Sequence, residues 1–177
     1  MNRRSIYQGK RIELTLQSIP LPGGGTTEKE IIVHPGAAVL IPLLKGDRIC
    51  MVTNHRWAIG QNLLELPAGT LDPGESPKAT ARRELEEETG WKPGRLRKVA
   101  EFYPSPGILT ELMHLYVAED LTPGERHLDV GEKLKPIILD WKAAVAKALA
   151  GEIKDAKSLV GLLLWDRIRH ESRPRRR

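Results

Sequence analysis

The chain sets its apolar residues in short runs of strand length, broken by prolines and glycines, and only near its end does the spacing turn helical. Ile6 and Tyr7, residues 11–16 and residues 30–34 read as strands, with a flexible Pro-Leu-Pro-Gly-Gly-Gly segment at 20–25 between the last two. Residues 37–44 are an apolar run fit for a buried strand in spite of Pro42, and Lys45-Gly46-Asp47 turns it back into a strand at 48–54. A short strand at 63–66 stops at Pro67-Ala68-Gly69. Further on, residues 96–103, 112–118 and 134–139 are strand candidates, and 119–131 reads as a polar loop. Asp140 stands at the N-cap position of a helix over 141–150 that Gly151 ends. A last helix over 156–168 carries Leu159, Leu162, Leu163 and Ile168 at helical spacing, the pattern of core packing.

Between the strands at 63–66 and 96–103 lies a stretch of different character. Residues 69–91 read Gly-Thr-Leu-Asp-Pro-Gly-Glu-Ser-Pro-Lys-Ala-Thr-Ala-Arg-Arg-Glu-Leu-Glu-Glu-Glu-Thr-Gly-Trp, a glycine turn leading into a helix crowded with carboxylates. Glu84, Glu87 and Glu88 stand at i, i+3 and i+4, so their carboxylates leave one face of the helix and can converge on one point. Like charges at that spacing repel by a few tenths of a kcal/mol per pair, and a counter-charge is called for. Ala81 and Leu85 occupy the face that packs on a sheet, Pro77 suits a first helical turn, and Arg83 is placed to brace Glu87 or a neighbouring carboxylate. Hard oxygen donors without histidine or cysteine favour Mg²⁺ or Mn²⁺ over zinc. A solvated acidic face is the alternative reading of a run such as Glu86-Glu87-Glu88 taken alone.

Composition narrows the picture. A chain of 177 residues suits one domain. The order of elements, a β-rich opening, one acidic helix, more sheet and two closing helices, is that of an α/β sandwich. Cys50, the single cysteine, lies in an apolar run and reads as a buried thiol, which suits a reducing compartment. No apolar segment of signal-peptide or membrane-spanning length stands out, so a soluble, cytoplasmic protein is expected. The net charge of +5 is that of the C-terminal end: Arg167 to Arg177 hold six arginines and one glutamate, and the rest of the chain has as many basic as acidic residues. The basic tail at 171–177 is expected to be a disordered, solvated end, and the balanced charge of the rest of the chain disfavours nucleic acid as the main partner.

The spacing of the acidic stretch carries a resemblance. Gly69, five residues, Glu75, seven residues, then Arg83-Glu84-Leu85-Glu86-Glu87-Glu88-Thr89-Gly90-Trp91 resembles the Nudix box of the Nudix hydrolases at every specified position. The resemblance implies a Nudix-type α/β/α sandwich around a mixed β-sheet, preceded by an N-terminal antiparallel sheet. It divides the chain into N-terminal strands at 1–36, a hydrolase domain at 37–170 and the tail. It implies metal-assisted attack of water on the diphosphate of a nucleoside diphosphate linked to another group. The metals, Mg²⁺ or Mn²⁺, would be carried by Glu84, Glu87 and Glu88 with the backbone carbonyl of Ala68.

The flanks are similar to the ADP-ribose pyrophosphatase branch over residues 31–165. Asn54-His55-Arg56-Trp57 and Leu64-Glu65-Leu66-Pro67-Ala68-Gly69 resemble that branch's lead into the box, which implies substrate contacts at Arg56, Glu65 and Thr70. Phe102-Tyr103-Pro104-Ser105-Pro106-Gly107 and Glu111 resemble its loop past the box, with Ser105, Pro106, Gly107 and Glu111 as further contacts. The branch takes a base or an extra metal ligand from an acidic loop, here Asp129-Val130-Gly131-Glu132, and valine stands where the usual base would be. Glu132, Glu111 and Glu87 are therefore the candidate catalytic carboxylates, Glu132 also as a metal ligand. The resemblance further implies a homodimer built through the N-terminal strands. Trp57 and Tyr7 are candidates to stack on a base. The expected reaction is hydrolysis of ADP-ribose or a related nucleoside diphosphate sugar to a nucleoside monophosphate and a sugar phosphate. A non-catalytic ligand-binding or regulatory domain and an RNA-end pyrophosphohydrolase are the alternatives.

Overall fold

The computed structural model describes residues 3–128 and 133–171. The segment 129–132, with Val130 and the candidate Glu132, and the basic residues at 172–177 lie outside the described residues. Among the described residues there are ten strands and three helices: β1 (Arg3–Gln8), β2 (Glu13–Pro20), β3 (Thr26–Val33), β4 (Ala37–Leu44), β5 (Arg48–Arg56), β6 (Gln61–Glu65), β7 (Ala68–Thr70), α1 (Pro77–Thr89), β8 (Trp91–Phe102), β9 (Met113–Pro123), β10 (Leu134–Asp140), α2 (Trp141–Leu149) and α3 (Ala156–Glu171).

The first three strands form their own antiparallel sheet in the order β1-β2-β3. The larger, mixed sheet runs β10-β5-β4-β9-β8, with β6 added to β5 and β7 to β4. Its β4 and β9 pair in parallel, and the other pairs are antiparallel. Alternation along β4 and β9 builds the two cores. Val39, Ile41, Leu115 and Val117 face one way, where Trp141, Ala144, Leu162 and Trp165 of α2 and α3 cover them. Ala38, Leu40, Tyr116 and Ala118 face the other way, under Ala81 and Leu85 of α1. The result is the α/β/α sandwich with an N-terminal antiparallel sheet that the sequence predicts. The two sheets meet where Ile32 on β3 bonds Ile108 and Thr110 of the loop at 104–110.

α1 begins as its sequence dictates. Ser76 is its N-cap and its Oγ accepts from the Ala79 N–H at 3.2 Å, Pro77 holds the first helical position, and Gly90 ends the helix at φ 73°. The turn at Gly46-Asp47, with both φ values positive, closes the β4–β5 hairpin as expected. Asp140 is the N-cap of α2 by position, but its side chain makes no capping bond. Leu159 and Leu162 pack into the core, whereas Leu163 is exposed.

Two strands run further than the hydrophobic pattern shows. β8 starts at Trp91 rather than 96 and β9 ends at Pro123 rather than 118, because the two pair antiparallel across that whole length. Residues 119–123 are therefore strand and not loop. β8 is an edge strand, so Pro93 is tolerated there and the pairing is held by polar contacts such as Arg95 Nε to Glu119 Oε2 at 3.3 Å. The three-residue β7 was hidden in the turn that ends β6. Its place matters for function, since it sets Ala68 and Gly69 against α1.

Candidate active site

A cleft of about 750 Å³ opens between β7, α1, the end of β5, the start of α3 and the β1–β2 turn. Its walls include Arg56, Ala68, Gly69, Thr70, Glu84, Glu87, Glu88 and Glu111. All of these but Gly69, the first residue of the box, are candidate site residues by sequence. Glu65 sits behind the wall, 1% exposed, and reaches the cleft through Arg56. Ser105, Pro106 and Gly107 are not among the lining residues: their loop docks against β3, with Ser105 accepting from the Ile108 and Leu109 N–H groups, and so fixes where Glu111 emerges.

The carboxylates are held by one arginine. Arg83 donates through Nη1 to Glu84 Oε1 at 2.7 Å and Glu87 Oε2 at 2.9 Å, and through Nη2 and Nε to Glu75 at 2.9 and 3.2 Å. The hydrogen bond to Glu75 is the largest cause that raises Arg83 above its ordinary value, opposed by desolvation, and the same bond holds the Glu75 carboxyl below the usual carboxylate range. Glu88 is 5% exposed and its Oε2 accepts from the Ala68 N–H at 3.1 Å. Gly69 lets Glu84 lie directly on β7: a Cβ at Gly69 would fall inside 3.0 Å of Glu84 Cδ, Oε1 and Cγ. Glu86 faces away and pairs with Lys92 at 3.0 Å.

Among the described residues, no group of three or more His, Cys, Asp or Glu side chains is gathered around a single point. Arg83 draws Glu84 and Glu87 to itself, and Ala68 draws Glu88. The donor chemistry nevertheless fits a hard divalent ion. Three carboxylates on one helix face, one of them buried, stand beside the Ala68 backbone, and the cleft they line includes no cysteine.

Several basic residues at or behind the wall have no signal in the local sequence pattern. Lys10 and Arg11, on the β1–β2 turn, reach the cleft of their own chain. Arg126 donates through Nε to the Glu88 carbonyl at 2.9 Å, and the His127 N–H to the Glu87 carbonyl at 3.1 Å, so cationic and N–H groups cover the C-terminal end of α1. His127 also lines the cleft. Near Glu111, the His34 Nδ1 that accepts from the Gly36 N–H at 3.1 Å stands 3.6 Å from Glu111 Oε1.

At the start of α3, a buried set of alternating charges backs Arg56. Arg56 faces Glu65 with two nitrogens, Nε at 2.7 Å from Oε1 and Nη2 on Oε2. The Glu65 hydrogen bond is the largest cause raising the Arg56 pKa, against desolvation. Lys157, 4% exposed, bonds Glu65 at 2.6 Å and Asp155 at 3.0 Å. Asp155 in turn caps α3 through the Ser158 N–H at 3.0 Å, and Ser158 Oγ accepts from the Leu66 N–H at 2.6 Å. A signal for this existed: a lysine in the first turn opposes the helix dipole and asks for nearby carboxylates. The two aromatic candidates for base stacking, Trp57 and Tyr7, are 68% and 61% exposed and neither lines the cleft.

The NUDIX domain family matches residues 34–159. Over 158 residues, 88% of this chain and 85% of the relative, the sequence is 37% identical to the ADP-ribose pyrophosphatase of Bacillus subtilis. It is 35% identical over 171 residues, 94% of this chain and 92% of the relative, to the methanol dehydrogenase activator of Bacillus methanolicus. The crystal structure of an ADP compounds hydrolase superposes with a TM-score of 0.83 over 98% of this chain and 95% of that one, at 21% identity, and so shows the fold. With the box residues brought to one cleft and the family match spanning most of the chain, the protein belongs to the Nudix hydrolase family.

Proposed function

We propose that this protein hydrolyses the diphosphate linkage of ADP-ribose or a related nucleoside diphosphate sugar, releasing a nucleoside monophosphate and a sugar phosphate. The observation that carries this reading is the meeting, in one cleft, of the helix carboxylates Glu84, Glu87 and Glu88 with the cation Arg56. Carboxylates suit a divalent ion and cations suit phosphate oxygens, so the two walls together fit a metal-bound diphosphate. The 37% identical relative named for ADP-ribose supports the choice of substrate class.

In this mechanism Glu84, Glu87, Glu88 and the Ala68 carbonyl would hold Mg²⁺ or Mn²⁺. A divalent ion bound there supplies charge neutralisation for the diphosphate and acidifies water. The chain's own residues do the rest. Arg56 grips a phosphate oxygen with the N–H groups that Glu65 does not use. Arg83 sets the rotamers of Glu84 and Glu87. A carboxylate must also take the proton of the attacking water. Among the described residues we assign this role to Glu111, 15% exposed and lining the same cleft, because Glu87 is engaged by Arg83; Glu132 is the other candidate.

Incubation with ADP-ribose and Mg²⁺ is expected to give AMP and ribose 5-phosphate, and GDP-mannose run beside it ranks the sugar. Absence of turnover on every nucleoside diphosphate sugar would sink the reading. The same reading includes a homodimer through the N-terminal sheet, which leaves Ile6, Tyr7 and Ile12 exposed. Light scattering on a sizing column should give about twice the 19.8 kDa chain mass, and a monomer at micromolar concentration would remove it.

A further inference from the structure

We propose that Lys157 and Asp155, at the start of α3, are positioning residues for the substrate phosphate: they hold Glu65, and Glu65 holds the Arg56 guanidinium in the orientation that meets the diphosphate. The inference deepens the proposed function and rests on it for the role of Arg56.

Four charges alternate along the cleft wall, with Glu65 buried behind it: Arg56, Glu65, Lys157 and Asp155. The two middle members are the buried ones: side-chain exposure is 43% for Arg56, 1% for Glu65, 4% for Lys157 and 17% for Asp155. A carboxylate buried that deeply costs several kcal/mol unless its lone pairs are filled, and Glu65 fills them from two sides, Arg56 and Lys157. Lys157 answers to two carboxylates at once, Glu65 Oε2 at 2.6 Å and Asp155 Oδ2 at 3.0 Å. Asp155 is fixed by the Ser158 N–H and hydroxyl, and that hydroxyl accepts from the Leu66 N–H, next to Glu65 in sequence. The loop closes on itself: the helix start that carries Lys157 is bonded to the strand end that carries Glu65.

A purely structural buried pair can be replaced by apolar side chains of similar volume at little cost. What such a replacement cannot do is present an oriented guanidinium to the cleft. An arginine on a flexible stem has many rotamers to lose, and a partner that fixes its Nε and Nη2 removes most of that cost before substrate arrives. Glu65 can fix Arg56 only if Glu65 itself is fixed, and with Lys157 gone its Oε2 would depend on Arg56 alone. Lys157 and Asp155 also line the cleft, so the network reaches substrate space without an intervening layer.

The test is a double-mutant cycle on ADP-ribose hydrolysis. Lys157→Met is expected to raise KM about tenfold and leave kcat within about twofold, because orientation of a binding group is lost and the carboxylate face of α1 is untouched. In an Arg56→Ala background Lys157→Met should add no more than about a twofold change, since its effect passes through Arg56. Lys157→Arg should recover part of the KM, and Asp155→Asn should shift KM in the same direction by less. A full and independent effect of Lys157→Met in the Arg56→Ala background, or a loss confined to kcat, would overturn the positioning role. Thermal unfolding of each variant separates misfolding from misplacement, and Asp155→Asn, which keeps the Lys157–Glu65 pair, carries the test if Lys157→Met does not fold. Wild-type protein without turnover of any nucleoside diphosphate sugar would sink the functional reading, whereas wild-type turnover with Lys157→Met and Asp155→Asn unchanged sinks this inference alone.

Discussion

Glu88→Gln is expected to lower kcat by about 10²–10³-fold while leaving the protein folded and, without metal, slightly more stable. The size follows from what the carboxylate is for: charge stabilisation by a bound divalent ion amounts to several kcal/mol, and each 1.36 kcal/mol is a factor of about ten. The sign of the stability change follows from the site. Glu75, Glu84 and Glu87 share the single guanidinium of Arg83, and Glu88 adds a further buried charge on the same helix. An amide of the same shape still accepts the Ala68 N–H, removes a negative charge from a crowded face and is cheaper to bury. Relief of about 1 kcal/mol would raise the thermal midpoint by about 2–4 °C in a chain of this size. Glu86→Gln is the control, because Glu86 points to Lys92 on the far side of α1 and its loss should leave kcat unchanged. Steady-state kinetics with calorimetry in EDTA reads both effects; a Glu88→Gln enzyme retaining a tenth of wild-type kcat would take Glu88 out of the metal site.

The opposed effects expected at Glu88 explain why the site was visible in the sequence. A helix face that gathers carboxylates against their mutual repulsion announces that something outside the chain resolves the conflict. The spacing of Gly69, Glu75 and Arg83 then adds the brace and the register, while Gly69 lies in strand β7, where it lets Glu84 approach, and not in a turn. The two cores were legible for a simpler reason: the apolar runs at 37–44 and 112–118 alternate between two covered faces. What stayed hidden lacked any such signature. The ends of β8 and β9 pair through Pro93, Gly94 and charged residues, with only Trp91, Pro93 and Leu121 turned inward, too few to make an apolar alternation. Lys157 carries only the weak signal of a lysine in a helix's first turn, and the docking of α3 against the end of β6 is what buries it between two carboxylates. Lys10 and Arg11 reach the cleft through tertiary packing of the first sheet, which local pattern does not encode.

Gly69→Ala should nearly abolish activity in a protein that still folds, and the reason separates close approach from backbone strain. Gly69 is not among the glycines with positive φ, so an alanine backbone is acceptable there. The obstacle is the Glu84 side chain, whose Cγ, Cδ and Oε1 occupy the space a Cβ would take. Two responses are open. β7 could withdraw from α1, but its three residues pair with Ala37, Ala38 and Val39 of β4, and giving up that ladder costs about 1 kcal/mol for each backbone bond. Glu84 could instead swing to another rotamer, giving up one hydrogen bond from Arg83, at about 1.5–3 kcal/mol when buried and less at this half-open site. The second is cheaper, so the fold survives with a midpoint lowered by a few degrees at most. The same movement takes Glu84 off Arg83 and away from Ala68, and kcat should fall by about 10²-fold, close to the loss from Glu84→Gln. The two changes must then fail to add: in a Glu84→Ala background, where the space at Gly69 is clear, Gly69→Ala should cost less than a further twofold. A Gly69→Ala enzyme with wild-type kcat, or full additivity with Glu84→Ala, would mean that the contact between β7 and Glu84 does not place the carboxylate that the reaction uses.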